Sequence, residues 1–159
     1  MARLQLGVND LGTMRPDLAA QLVDLSEATT VTEFSNKKLL WFCETNHPRY
    51  EWPATVYGRS KGKGCGVCAR RALFVGWNDL GTVRPELAEQ LVDPSQAETV
   101  TEFSKKKLMW FCENEHRRRE WEATVNGRSK GKGCGVCAGQ VVLTGWNDLA
   151  TVSPELADQ

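Results

Sequence analysis

The sequence predicts small α+β modules in tandem, each a short helix beside a small antiparallel sheet. The first observation behind this is a repeat: "NDLGTMRPDLAAQLVD" at Asn9 returns as "NDLGTVRPELAEQLVD" at Asn78, a spacing of 69 that persists to Gly76 and Gly145. Across it roughly 70% of positions are identical, the self-similarity at fixed period that marks a repeat architecture. The second is a switch within each repeat from helix-spaced to strand-like apolar residues. The third is a set of three cysteines and one histidine that recurs at the same positions of both repeats, Cys43, His47, Cys65 and Cys68, then Cys112, His116, Cys134 and Cys137. The chain divides into residues 1–76, 77–145 and 146–159, the last a third copy that opens with "NDLATVSPELADQ". That copy stops at Gln159, before the apolar pair present elsewhere as Leu22 and Val23 or Leu91 and Val92. It reads either as a cap on the second module or as the start of another repeat, and the missing pair favours a piece cut from a longer array.

The elements follow in order. After the NDL motif, Pro85 suits the first turn of a helix, and Leu87, Leu91 and Val92 recur at helical spacing, so a short amphipathic helix is expected. Next, "KKLLWFC" and "KKLMWFC" read as a strand running into the first cysteine. "EWPATVYGRS" and "EWEATVNGRS" alternate large apolar and polar residues and read as a second strand or hairpin. Trp41 and Trp110, with Phe42 and Phe111, are expected in the core, and Trp77 and Trp146 at the joint between repeats. Trp52 and Trp121, which lie between basic segments, are also candidates for stacking on nucleobases.

A module of about 70 residues rarely stands on its core alone and leans on disulfides, metal or neighbours. Three cysteines to a repeat would leave one thiol over in any disulfide scheme confined to that repeat. Both histidines of the chain, however, stand four residues after a cysteine, in "CETNH" and "CENEH", and a "CGVC" follows each after seventeen intervening residues. A C-x-x-C alone is as well a redox pair or two buried thiols. Three thiols and one imidazole, spaced identically twice, instead predict a closed tetrahedral zinc site in each repeat. Two structural zinc ions are therefore expected, with Gly64 and Gly66, and Gly133 and Gly135, easing the turn around the second ligand pair.

With these residues in view, the chain resembles the family of tandem probable zinc-ribbon modules of treble-clef type. Asn9, Asp10, Leu11, Pro16, Leu18, Cys43, His47, Trp52, Arg59, Gly64, Cys65 and Cys68 fall at its motif positions, and the resemblance covers nearly the whole chain. It implies a treble-clef fold. Because some such modules accompany nuclease-like domains, it also implies nucleic-acid work by association.

Acidic and basic residues balance at 20 each, so bulk charge gives no direction, but their distribution does. Acidic groups gather in the NDL segments, and cations gather around the cysteines as Lys37, Lys38, Arg49, Arg59, Lys61, Lys63, Arg70 and Arg71 in the first repeat. In the second repeat "HRRRE" adds cations that "HPRYE" lacks. Arg59, Lys61 and Lys63, with Arg128, Lys130 and Lys132, flank the glycines of "RSKGKGCGVC" and are the candidate phosphate contacts. The bland reading of the same residues is solvated surface, or cations that pair with the acidic helix and shield the thiolates.

The expectation is a non-enzymatic zinc repeat that binds nucleic acid, DNA before RNA. The alternative is a scaffold array for a protein partner, possibly beside a nuclease-like domain of a longer protein. Catalysis is not expected, since both histidines are assigned to metal and no nucleophile has a base to act with. With no leader at "MARLQLGVND" and no apolar run of spanning length, the expected location is intracellular, cytoplasmic or nucleoid-associated.

Overall fold

The computed structural model describes residues 3–114, 116 and 118–157. Arg117 of "HRRRE" and the terminal Gln159 lie outside the described residues. The chain forms two compact units, Met1–Phe74 and Val75–Gln159, and each is built in the same way from its own residues.

In the first unit the NDL motif acts as a helix start. Asp10 precedes α1 (Leu11–Met14), and its Oδ1 accepts from the Thr13 amide at 2.9 Å while Oδ2 accepts from the Thr13 hydroxyl at 2.8 Å and the Gly7 amide at 2.6 Å. One side chain thus satisfies donors that a helix N-terminus otherwise leaves open. The single helix expected here is two separate turns. Pro16 suits the first position of α2 (Pro16–Ala19) but bars Arg15 from helical geometry, and Arg15 adopts φ −140° and ψ 66° between the turns.

The apolar pair expected on that helix has left it. Leu22 bridges Trp41, the Val23 amide donates to the Leu40 carbonyl at 3.0 Å, and the Phe42 amide donates to the Gln21 carbonyl at 2.9 Å. Leu91 bridges Trp110 and the Val92 amide donates to the Met109 carbonyl in the second unit. These residues line the sheet edge instead, a pairing across nineteen positions that helical spacing does not reveal. A 3-10 helix over Leu25–Thr29 follows, capped by Asp24, whose Oδ1 accepts from the Ser26 amide at 2.9 Å.

Strands β1 (Lys38–Cys43) and β2 (Tyr50–Thr55) pair antiparallel, from Lys38 opposite Thr55 to Cys43 opposite Tyr50, with Trp41 facing Trp52. Leu39 and Trp41 point inward while Lys38 and Leu40 are exposed, the period-two alternation of a sheet with one buried face. β2 ends sooner than "EWPATVYGRS" suggested. Thr55 Oγ1 accepts from the Gly58 amide at 3.1 Å and opens the helical turn α3 (Val56–Ser60). The core is Leu11, Leu18, Ala19, Leu22, Ala28, Val31, Leu39, Trp41 and Val56, with Trp52 and Ala54 packed on it. Fully buried Trp41 places its indole N–H 2.9 Å from the Ala54 carbonyl.

The second unit repeats this with α4 (Leu80–Val83), α5 (Pro85–Ala88), a 3-10 helix over Pro94–Thr99, β3 (Lys107–Cys112), β4 (Arg119–Thr124) and α6 (Val125–Ser129). Its core is Leu80, Leu87, Leu91, Ala97, Val100, Leu108, Trp110 and Val125. In both units the NDL segment therefore packs forward, onto the hairpin that follows it in sequence. The third copy forms α7 (Leu149–Val152) and α8 (Pro154–Ala157), with Asp148 capping α7 through Thr151 as in the other copies. Its Leu149 and Leu156 are 54% and 59% exposed, whereas their counterparts Leu80 and Leu87 are 0% and 6%. No helix among the described residues is long and apolar enough to cross a membrane.

Candidate metal centre

Each unit brings its four predicted ligands together. Cys43 ends β1, His47 lies in the turn between the strands, and Cys65 and Cys68 sit in the turn after α3; their ligand atoms all lie within 4.8 Å of one another. Cys112, His116, Cys134 and Cys137 form the same cluster in the second unit, and no cysteine is in a disulfide.

The separations test whether zinc fits. A tetrahedral ion with Zn–S bonds near 2.3 Å and Zn–N near 2.0 Å sets S–S edges of about 3.8 Å and S–N edges of about 3.5 Å. Cys43 and Cys68 sulfurs are 3.6 Å apart, and His47 Nε2 is 3.4 Å and 3.3 Å from Cys65 and Cys68. In the second unit Cys112 and Cys137 are 3.7 Å apart, and His116 Nε2 is 3.6 Å from Cys134 and 3.3 Å from Cys137. These are the edges of a zinc tetrahedron. His47 Nδ1 lies 2.7 Å from the Pro48 carbonyl, so a proton on Nδ1 donates to that oxygen and Nε2 is free to ligate.

Burial pushes the Cys43 thiol up, but hydrogen bonds from Thr45 outweigh it and bring the group down to about 7. Burial and the neighbouring sulfur of Cys43 push Cys68 up to about 12. In the second unit the lowered group is a different ligand: burial pushes Cys134 up, but the Cys137 and Val136 amides outweigh it and bring it to about 7, while burial and the sulfur of Cys112 push Cys137 up to about 11. A zinc ion must displace the protons of the high members, so zinc retention weakens in acid.

The backbone of the second ligand pair is tightly turned. The Arg71 and Ala72 amides both donate to the Gly66 carbonyl, at 2.8 Å and 3.0 Å, and a Cβ on Gly66 would stand 2.9 Å from the Ala72 Cβ. Gly66 is therefore required by contact. Gly64, expected to serve the same turn, meets no neighbour, whereas Gly62, at φ 83°, and Arg70, at φ 55°, take left-handed geometry.

The basic residues of "RSKGK" separate into two kinds. Lys61, Lys63, Lys130 and Lys132 are exposed, and no ion pair among the described residues involves them. Arg59 and Arg128, expected beside them as phosphate contacts, are instead interior, 6% and 7% exposed. Arg59 Nη1 donates to the Lys63 carbonyl at 2.7 Å and Nη2 donates to Gln21 Oε1, while the guanidinium carbon lies 5.1 Å and 5.4 Å from the Trp41 and Trp52 ring centroids. Arg128 repeats every contact, to the Lys132 carbonyl, Gln90, Trp110 and Trp121. The correction has a physical cause, since an arginine so enclosed has no face left for a ligand.

Trp52 and Trp121 are half-buried beneath these guanidiniums, and Trp52 also stacks on Tyr50 at 5.9 Å with an interplanar angle of 15°. Their placement is that of packing aromatics, not of an open stacking platform. Trp146 comes edge-on to His116, with ring centroids 6.0 Å apart. Other cations are held locally: Arg49 donates to Glu44 and Glu51 and lies over Phe42, Arg118 donates to Glu113 and Glu120 and lies over Phe111, and Lys37 and Lys107 pair with Glu27 and Glu122. The residues that sequence reading missed are Gln21 and Gln90; the glutamine shared by "AAQLV" and "AEQLV" was their only signal.

The family described as Probable Treble clef zinc finger domain matches this chain twice, over residues 18–71 and 87–140. No curated protein matches it.

Proposed function

The chain belongs to the family of probable treble clef zinc finger domains, in two copies, and from that premise we propose that it is a non-enzymatic zinc-folded repeat whose lysine turns bind the phosphate backbone of nucleic acid, DNA before RNA. The observation that supports this reading is the pair of turns Lys61–Lys63 and Lys130–Lys132, exposed, without a carboxylate partner among the described residues, and held close to the metal ligands in both repeats. Lysines displayed on a rigid turn contact phosphates without reading bases. The zinc has a structural role, because four protein ligands leave it no position for a substrate.

Fluorescence anisotropy of the zinc-loaded protein against labelled duplex DNA, single-stranded DNA and RNA tests the reading. Binding should weaken steeply from low to physiological salt, because releasing condensed counterions gains less as bulk salt rises. The quadruple variant Lys61→Glu, Lys63→Glu, Lys130→Glu, Lys132→Glu should keep both zinc ions and lose that binding. Unchanged affinity in the variant, or none in the parent at low salt, would refute it. A protein partner would then be the better reading, and exposed Phe34, Leu40, Phe103 and Met109 are the apolar surface it would use.

A further inference from the structure

We infer that Arg59 and Arg128 are the counter-cations of the two metal centres, and that each ties its centre to the NDL segment of the same unit through Gln21 or Gln90. Removing a charge from water is costly unless another charge or a full set of hydrogen bonds compensates it. Arg59 and Arg128 are buried, yet the acceptors of their Nη atoms are neutral: a backbone carbonyl and a glutamine side-chain oxygen. Their Nε atoms have no hydrogen-bond partner at all. Among the described residues no carboxylate pairs with either arginine.

The compensating charge is at the ligand cluster. A zinc ion held by three thiolates and one neutral imidazole carries a net charge of about −1. Arg128 Nη1 lies 3.9 Å from where a Cβ on Gly133, the neighbour of the ligand Cys134, would stand; burial lowers the pKa of Arg128 and the thiolates of Cys112 and Cys134 act against that, as Cys43 and Cys65 do for Arg59. The faces of Trp41 and Trp52 add cation–π attraction, at 5.1 Å and 5.4 Å from the guanidinium carbon. Anionic centre and buried cation therefore neutralise each other inside a unit too small to hold either alone.

The connectivity gives this pairing a second effect. Arg59 Nη1 holds the carbonyl of Lys63, two residues before the ligand Cys65, and Nη2 holds Gln21, 38 positions away at the end of the NDL segment. The same guanidinium thus positions the turn that carries two ligands and the segment that supplies Leu11, Leu18 and Leu22 to the core. Metal binding and the seating of that segment are linked through one side chain.

The test changes one unit of the intact chain and uses the other as an internal reference. Zinc affinity is read by competition with a chromophoric chelator. Arg128→Met removes the charge but keeps an apolar stem over Trp110, and should weaken one of the two sites by about tenfold or more, the usual effect of losing an outer partner of a metal centre. Arg128→Lys restores the charge and should recover most of that loss. Gln90→Glu leaves the arginine in place but gives it a competing carboxylate, and should weaken the same site while the Trp110 packing persists. Amide exchange of Leu87–Leu91 should speed up when zinc is removed from the parent, and should already be fast in zinc-loaded Arg128→Met. The inference is overturned if Arg128→Met melts lower but binds zinc as tightly as the parent. It is equally overturned if Lys and Met variants lose affinity alike, or if Gln90→Glu leaves affinity unchanged.

Discussion

A single aspartate shows how much one side chain does in this protein. Asp79, like Asp10 and Asp148, accepts from a threonine amide, the same threonine's hydroxyl and a glycine amide, here at 2.9, 2.7 and 2.6 Å. Burial pushes its carboxyl up, but these hydrogen bonds outweigh it and hold the group below its ordinary 3.8. A depressed carboxylate contributes its stability above the unfolded value and loses it as pH falls through the folded one. Asp79→Asn keeps an oxygen to cap the Thr82 amide but puts a donor where Oδ2 accepts from the Thr82 hydroxyl and the Gly76 amide, and should therefore cost about 1 kcal/mol at neutral pH, the usual net worth of a hydrogen bond. The gap between parent and variant should stay constant down to about pH 4 and close below it. Denaturant titrations of the two proteins at matched zinc content, checked at each pH, test the sign, and a gap that widens in acid would contradict it. At this scale the sequence was legible where spacing alone carried the chemistry: eight ligands were named correctly because the same intervals occur twice. Arg59 was misplaced for the converse reason. Its neighbours in sequence are glycines and lysines, while those that enclose it, Gln21, Trp41 and Trp52, come from other elements.

Among the elements, the hairpins were readable and the helices only in part. The apolar run "KKLLWFC" announced a strand but not its faces: Leu39 and Trp41 point inward, Leu40 is exposed, and Phe42 and Phe111, expected in the core, are partly exposed beneath Arg49 and Arg118. Pro85 suits a helix start and takes that place, as Pro16 does, yet each also ends the turn before it, and that second effect divides the expected helix. Leu22 and Leu91 are apolar at helical spacing but take their place from the sheet, a choice made by tertiary pairing over local preference. Their burial makes a contrast testable between copies of one motif. Leu91→Ala should cost about 2–4 kcal/mol, as for a leucine removed from a packed core. Leu156→Ala, on a side chain 59% exposed, should cost less than about 0.5 kcal/mol. Equal losses in thermal or chemical unfolding would mean that the third copy is buried in solution.

The molecule as a whole is two units, each with its own core and its own four ligands. Ligands confined to one unit make metal content divisible. Cys134→Ser should reduce zinc from two ions per chain to one and unfold the second unit, while amide protection in the first is unchanged. Loss of both ions, or of protection in both units, would show that the sites depend on each other. The forward packing of the NDL segment also sets an order of events during synthesis. Leu11, Leu18 and Leu22 leave the ribosome before Leu39 and Trp41, the strand residues that bury them, and the first unit gains its last ligand only at Cys68. Its apolar segment waits for the last ligand of its zinc site while some fifty residues are added, on the order of several seconds at ordinary elongation rates. The nascent first unit can then close before the first strand of the second is made, so that neighbouring stretches as alike as these two are kept from pairing with each other by timing.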